Sequence, residues 1–358
     1  MTRVVVVGAS GNVGTALLRR WSDDPDVEVT GVSRRLPPSS EPYASATAWH
    51  PVDVSGPDAP TLLRRAFAGA DVVVHLAWGF QPTRDPAYLE RVGVGGSAHV
   101  LDAAVASGVQ HLVHMSSVGA YAPKVDNVPV DEGYPTTGVP TSLYSRHKAM
   151  AEAHLDVFER DHSDEIVIAR TRPGFVLQAD AGAALTRYGL PAYLPSILLA
   201  HLLVLPLDAK LVIPVIHAAD LADAIAAIVT ERAGGAFNLA ADATLTRDAI
   251  ARLLGAKPLP LPASVVHAAI DWTWRLRLQP LDAGWIDLAF SVPLMDTARA
   301  REVLGWAPQV SASDALLETV AAMSRGHGIA GPVLRSRSAL DEVRRMVSQG
   351  PITRRLLP

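Results

Sequence analysis

The first half of the chain alternates short, solid apolar runs with longer stretches whose apolar positions recur every three or four residues. "RVVVVGASGNVGTALLRRW" reads as a four-valine strand, a glycine-rich turn and an amphipathic helix. The pattern then repeats. "VEVTGVSRR" is a second strand ending near Ser33, "AWHPVDV" a short third ending in Asp53 and Val54, and "ADVVVHLAW" a fourth. A helical stretch from about Pro86 to Ser107 leads to a fifth, "VQHLVHMSS". Solid apolar runs joined by helices predict parallel strands covered on both faces, hence an α/β, doubly wound sheet. Ligands of such sheets sit at the C-terminal strand ends. Gly8, Arg34, Asp53, Ala77 and Ser117 all fall there.

The first turn carries chemistry. Glycine at position 8 lets the chain turn sharply, Gly11 lets backbone approach a phosphate, and Gly14 lets helix and strand pack closely. The helix N-terminus then offers unpaired N–H groups and a positive dipole end to a pyrophosphate. Within strand–turn–helix this spacing predicts a dinucleotide site. At the end of the second strand a carboxylate would bind the adenosine ribose hydroxyls and prefer NAD. The chain has Ser33, Arg34 and Arg35 instead, and arginine suits the 2′-phosphate of NADP through charge-assisted bonds.

Composition narrows the rest. The 358 residues are 49% apolar and 19% charged, a globular make-up large enough for two lobes that share an interface. A net charge of −4 gives no reason to expect nucleic acid. There is no cysteine, which excludes disulfides, thiolate catalysis and cysteine-based zinc sites. The opening "MTRVVVVGAS" reads as a buried strand and not a signal peptide, so a cytoplasmic protein is expected. Tyr188 to Leu207 carries no formal charge and would just span a bilayer. Pro191, Pro195, Pro206 and His201 interrupt it, and a soluble helix-and-loop region is expected, with no membrane span. The histidines, among them His75, His111, His114, His147, His154 and His162, show no metal-site spacing, and no metal is expected. His147 and His154 read as surface residues, and Asp220 as the N-cap of the helix in "HAADLADAI".

"YSRHK", Tyr144 to Lys148, places a tyrosine four residues before a lysine. On a helix the two side chains stand one turn apart on one face. An ammonium near a phenol favours the phenolate and lowers its pKa, which suits proton transfer near neutral pH. An ordinary amphipathic helix carries the same spacing, so the pair alone does not decide.

The motifs taken together do. "GASGNVG", "DV" at Asp53, "VHLAW" at His75, "MSSVGAY", "YSRHK", "RPGFV" at Arg172, "HAADLADAI" and "LGWAPQVSASDAL" follow one another from about Arg3 to Arg325. In this order they resemble the extended short-chain dehydrogenase/reductase superfamily, of the NAD-dependent epimerase/dehydratase kind. The resemblance implies a Rossmann-type domain and a smaller mixed C-terminal substrate lobe. It makes Tyr144 the catalytic acid/base and Lys148 its partner, which also holds the nicotinamide ribose hydroxyls. Ser117, four residues before Tyr121, matches the catalytic serine, with Ser116 its less favoured neighbour. Cofactor contacts are implied at Gly8, Ser10, Gly11, Asn12, Val13, Gly14, Arg34, Arg35, Asp53, Val54, Leu76, Ala77, Tyr144, Lys148 and Pro173. Members are often homodimers through two helices packed as a four-helix bundle, for which Pro86–Ser107 and Leu143–Asp161 could serve.

Three departures bear on the substrate. Where the family carries Asn-Val-x-Gly-Thr after the fourth strand, this chain has "GVGGS" and Gly93 replaces the asparagine. Val118 and Gly119 follow Ser117 where 4,6-dehydratases place Asp-Glu, and Phe175 stands where epimerases often have an asparagine facing the nucleotide diphosphate. The segments after the sixth strand are apolar, with Arg187 and Lys210 flanking them. The expected enzyme is therefore an NADP-dependent oxidoreductase acting on a small, rather apolar carbonyl or alcohol, with NAD as the alternative cofactor. The alternatives are a nucleotide-sugar epimerase with tightly bound NAD and a non-catalytic NADP-binding protein. The dinucleotide-binding domain is expected over 1–172, with strand segments near 212–217 and 236–240 returning to it. The substrate lobe is expected over 173–325. Residues 326–358 form a basic extension, with a short helix over Ser338 to Gly350 packing on its own chain.

Overall fold

A computed structural model describes residues 1–80, 84–189, 196 and 203–336. Most of the Tyr188–Leu207 run and the expected tail helix lie outside the described residues. In chain order the first elements are β1 (Thr2–Val7), α1 (Asn12–Arg20), β2 (Val27–Ser33), β3 (Ala48–Pro51), α2 (Ala59–Phe67), β4 (Val72–His75), α3 (Pro86–Glu90), α4 (Gly96–Ala106), β5 (His111–Met115), α5 (Leu143–Asp161) and β6 (Val167–Pro173). There follow β7 (Phe175–Leu177), α6 (Gly182–Gly189), β8 (Val204–Leu207), β9 (Val212–Ile213), β10 (Val215–His217), α7 (Ala218–Glu231) and β11 (Gly235–Leu239). The last elements are β12 (Leu245–Thr246), α8 (Arg247–Leu253), β13 (Lys257–Pro260), α9 (Ala263–Arg275), α10 (Gly284–Ser291), α11 (Ala298–Leu304) and α12 (Ala312–Ser324).

Seven parallel strands form the main sheet in the order β11-β6-β5-β4-β1-β2-β3. The solid valine runs are explained by burial on both faces. Val4 and Val6 of β1 pack with Leu17 of α1 and Leu221 and Ile225 of α7. Val5 and Val7 point the other way, to Leu63 of α2, Val100 and Leu101 of α4 and Leu155 of α5. The chain reverses direction across the sheet between β4 and β2, on either side of β1, and opens a crevice at the strand ends there.

Three sequence expectations change. The stretch Pro86–Ser107 is not one helix: a π-helical turn, Arg91–Gly95, separates α3 from α4. Three glycines, Gly93, Gly95 and Gly96, crowd this point, and each weakens regular helix by about 1 kcal/mol. Of the two segments expected to return to the sheet, Gly235–Leu239 pairs with β6, but the strands over 212–217 do not join. There β10 pairs with β7 and β9 with β12, in two-stranded sheets beside the main one. Asp220 is not the cap of α7 either. His217 caps it through Nδ1, while the Asp220 carboxylate accepts the backbone N–H groups of Gln309 and Val310 and anchors the turn before α12.

Candidate active site

The turn after β1 is built by close approach. Gly8 holds φ +95°, and a Cβ there would lie 2.7 Å from the Ala77 nitrogen. A Cβ on Gly14 would lie 2.5 Å from the Gly8 carbonyl oxygen, so α1 can press onto β1 only with glycine at that position. Helix α1 starts at Asn12, and no side chain caps its first N–H groups. Those donors and the dipole end suit a pyrophosphate.

A cavity of about 510 Å³ runs from this turn, past the ends of β2 and β4, to Tyr144. Gly8, Ser10, Gly11, Asn12, Val13, Gly14, Arg34, Asp53, Val54, Leu76, Ala77, Ser117, Tyr144 and Pro173 line it. The sequence-predicted positions thus converge, with two exceptions. Arg35 turns outward and donates to the Pro332 carbonyl at 3.0 Å. Neighbouring residues leaving a strand point to opposite sides. Only Arg34 of the two arginines reaches the cavity, where its guanidinium donates to the Tyr88 hydroxyl at 2.8 Å. Lys148, the second exception, lies behind the wall.

Helix α5, capped by Ser142, sets Tyr144 and Lys148 one turn apart as the spacing predicted. Ser117 opens a tight turn after β5, where its Oγ accepts the Gly119 N–H at 3.0 Å and hydrogen-bonds Tyr144. The expected lowering of the tyrosine pKa is not found. Burial pushes the Tyr144 phenol up to about 12, and the Ser117 hydrogen bond offsets only part of that. Lys148 does not act on it strongly: Nζ is 6.0 Å from the Tyr144 ring centroid and donates to the Met115 carbonyl at 2.8 Å. Burial also holds the Lys148 ammonium well below its ordinary value, with Glu152 opposing.

Away from the cavity lining lies a buried polar network. Arg172 donates to both carboxylate oxygens of Glu152, at 2.8 and 3.0 Å, to the Tyr121 hydroxyl at 3.1 Å and to the Glu132 carbonyl at 2.8 Å. Burial alone would raise the Glu152 carboxyl, but the hydrogen bonds and charge of Arg172 hold it below the usual range. Tyr121 donates to Asn238 at 2.6 Å. Two loop carboxylates make backbone hydrogen bonds: Asp131 accepts the Gly133 N–H and Glu132 the Asn238 N–H. His147 is buried and not a surface residue, and His75 bonds the Ser97 hydroxyl at 3.0 Å. Among the described residues no three His, Asp or Glu gather at metal-binding range.

The wall beyond Tyr144 is aromatic. Phe80 lies 5.5 Å from the Tyr144 ring and 16° from parallel, Trp285 of α10 lies 5.1 Å away at 29°, and Trp78 meets it edge-on. Tyr188, Leu281 and Leu288 continue the lining. Sequence reading named none of these as site residues. Trp78 was visible in "VHLAW", but Trp285 comes from a distant helix with no motif around it. Val333 and Leu334 were missed too. They belong to a C-terminal segment that folds onto the cavity rim, where Leu334 packs on Ala181 and Ala184 and Arg187 donates to the Val333 and Arg335 carbonyls.

Known proteins resemble the chain along most of its length. A dTDP-glucose 4,6-dehydratase of Streptomyces griseus is 27% identical over 333 residues, covering 89% of this chain and 93% of that protein. A UDP-glucose 4-epimerase of Mycolicibacterium smegmatis is 28% identical over 332 residues, covering 89% and 97%. Among solved structures, the UDP-glucose 4-epimerase of Thermus thermophilus in complex with NAD superposes with a TM-score of 0.67 at 20% identity, covering 90% of this chain and 99% of that one. Residues 4–240 match the model of the NAD dependent epimerase/dehydratase family. With that match and the site it covers, the chain belongs to this family and is an NAD(P)-dependent enzyme of the extended short-chain dehydrogenase/reductase type.

Proposed function

We propose that the protein is an NADPH-dependent oxidoreductase that interconverts a carbonyl and an alcohol on a small, apolar substrate. The observation that carries the substrate class is the aromatic wall of Trp78, Phe80 and Trp285 around Tyr144. A sugar diphosphate needs many hydrogen-bonding and cationic partners on its side of the site, whereas flat rings favour an apolar or aromatic carbonyl compound. Phe175 on the lining and the apolar turn after Ser117 support the same reading. Arg34 on the lining, without a carboxylate at the end of β2, supports NADPH.

When bound, the nicotinamide supplies the hydride to the carbonyl carbon. Ser117 donates a hydrogen bond to the oxygen on which charge develops. Tyr144 gives that oxygen its phenolic proton, so one hydride and one proton convert the carbonyl to the alcohol. Its high pKa in the free site keeps the proton in place beforehand. The resemblance assigns Lys148 to the ribose hydroxyls, but the residue is 1% exposed and off the cavity lining, so its part in this reading is to favour the tyrosinate that results.

Nucleotide-sugar epimerisation with firmly bound NAD is the second reading, favoured by the epimerase relative that this chain matches over nearly its whole length. Calorimetric titration with NADPH, NADP⁺, NADH and NAD⁺, after a check for copurified nucleotide, separates the two. The oxidoreductase reading expects nucleotide-free protein that binds the phosphorylated pair at least tenfold tighter, about 1.4 kcal/mol, and oxidises NADPH with an apolar carbonyl. Protein arriving with NAD bound, and turning over with no net change in cofactor absorbance, overturns it.

A further inference from the structure

Lys148 is 1% exposed, and a buried ammonium is costly unless it is partnered. Among the described residues its close contacts are the Met115 carbonyl and the Trp78 indole, whose ring centroid is 3.4 Å from Nζ, with the Tyr144 ring more distant at 6.0 Å. That distance is well inside the roughly 6 Å reach of a cation–π contact, and tryptophan offers the strongest ring face. The indole reaches this place because residue 93 is glycine. A Cβ there would lie 2.9 Å from Cζ2, 3.1 Å from Cη2 and 3.2 Å from Cε2 of Trp78. Gly93 sits in the π-helical turn that interrupts the predicted helix, so the departure from helix and the departure from the resembled motif fall at one residue. The same indole meets the Tyr144 ring edge-on, at 6.3 Å and 78°.

We infer that Trp78 is a positioning residue: its indole face holds the Lys148 ammonium in place beside Tyr144, and Gly93 is the small residue that admits the indole. The inference rests on the proposed chemistry only for its catalytic consequence; the placement stands on geometry. The other charged groups around Lys148 do not replace this support. Glu152, one turn along α5, is engaged by Arg172 and Arg170. His75 on β4 and His114 on β5 are held neutral by burial, and Arg170 on β6 lies beyond them.

The chain has four lysines, Lys124, Lys148, Lys210 and Lys257, so isotope-labelled lysine gives four side-chain titrations in NMR spectra. Loss of one signal in Lys148→Met identifies it. In cofactor-free protein, Trp78→Leu is expected to move the Lys148 titration down by about one pH unit or more, because the charged form loses its partner. Trp78→Phe keeps a ring face and moves it less, while the other three lysines stay. Gly93→Ala, which displaces the indole, gives a downward shift in the Trp78 protein and none in the Trp78→Leu background. In turnover, kcat falls in the same order as the shifts. Unchanged Lys148 titration in both Trp78 variants overturns the inference. A downward shift in a protein that reduces no carbonyl upholds the placement while the functional reading fails.

Discussion

Tyr144 of α5 is stacked on Trp285 of α10, with ring centroids 5.1 Å apart and planes 29° from parallel. The pair joins the candidate proton donor, on a helix packed against the main sheet, to an aromatic wall residue from a helix far along the chain. Burial of the phenol is what raises its pKa.

Trp285→Ala removes one side of that wall. Aromatic pairs contribute about 0.5–1.5 kcal/mol beyond area burial. KM for an apolar carbonyl is expected to rise about tenfold while the dissociation constant for NADPH holds within about twofold, about 1.4 against 0.4 kcal/mol. Stopped-flow kinetics and cofactor titration check the split. Equal losses in both place Trp285 at the cofactor instead.

Tyr144→Phe keeps the ring stack and deletes the proton. General-acid loss is expected to lower kcat by about 10²- to 10⁴-fold, with cofactor affinity and melting temperature close to the parent. A fall smaller than about tenfold would take the proton-donor role away from Tyr144.

Buried tyrosines and histidines set the pH limits of stability. Burial pushes Tyr43, Tyr121 and Tyr144 each to about 12, above the ordinary 10. Their contribution is complete below the unfolded value near 10 and is lost as pH rises towards 12. His75 moves the other way, to about 3 through burial, so its contribution is present above about 6.5 and is lost as pH falls towards 3. Urea midpoints against pH should fall in both windows. In an absorbance titration, three of the seven tyrosines should ionise only as the chain unfolds. Ionisation of all of them near pH 10 with the fold intact contradicts the burial argument.

Arg34 and Arg35 are adjacent in sequence but not in surroundings. Arg34→Ala is expected to weaken NADPH binding at least tenfold, about 1.4 kcal/mol, and to leave NADH nearly unchanged. Arg35→Ala, whose side chain meets the Pro332 carbonyl, should change neither. Calorimetry on the two variants decides, and the reverse result would reassign the 2′-phosphate contact.

Leu334 is 1% exposed against Ala181 and Ala184 at the cavity rim. Leu334→Asp buries a carboxylate among apolar groups, a change that the C-terminal segment escapes by detaching. Protease cleavage near residues 327–336 should become faster and NADPH should dissociate several-fold faster. Cleavage without a change in the cofactor off-rate would make this segment packing only.

Much of the site was legible because its demands are local. A glycine that must meet the Ala77 nitrogen, a strand of four valines buried on both faces and a tyrosine one turn from a lysine all leave marks within a few residues. Those marks determined the parallel sheet, the dinucleotide turn, and Ser117, Tyr144 and Lys148 as candidates. The protonation of the site was not legible. Spacing suggested a lowered phenol pKa, but burial raises it, the Ser117 hydrogen bond offsets only part of that, and the Lys148 ammonium stands 6.0 Å from the ring. Nor could the chain say which of two neighbouring arginines faces the cavity, since strand direction and the Pro332 carbonyl decide that. The sequence by itself determined the first five strands of the main sheet and the candidate reacting groups, because those depend on neighbours along the chain. Only the tertiary structure decided what surrounds the reacting groups. Burial and contact there come from residues as distant as 78, 285 and 334, and nothing in local spacing brings those together.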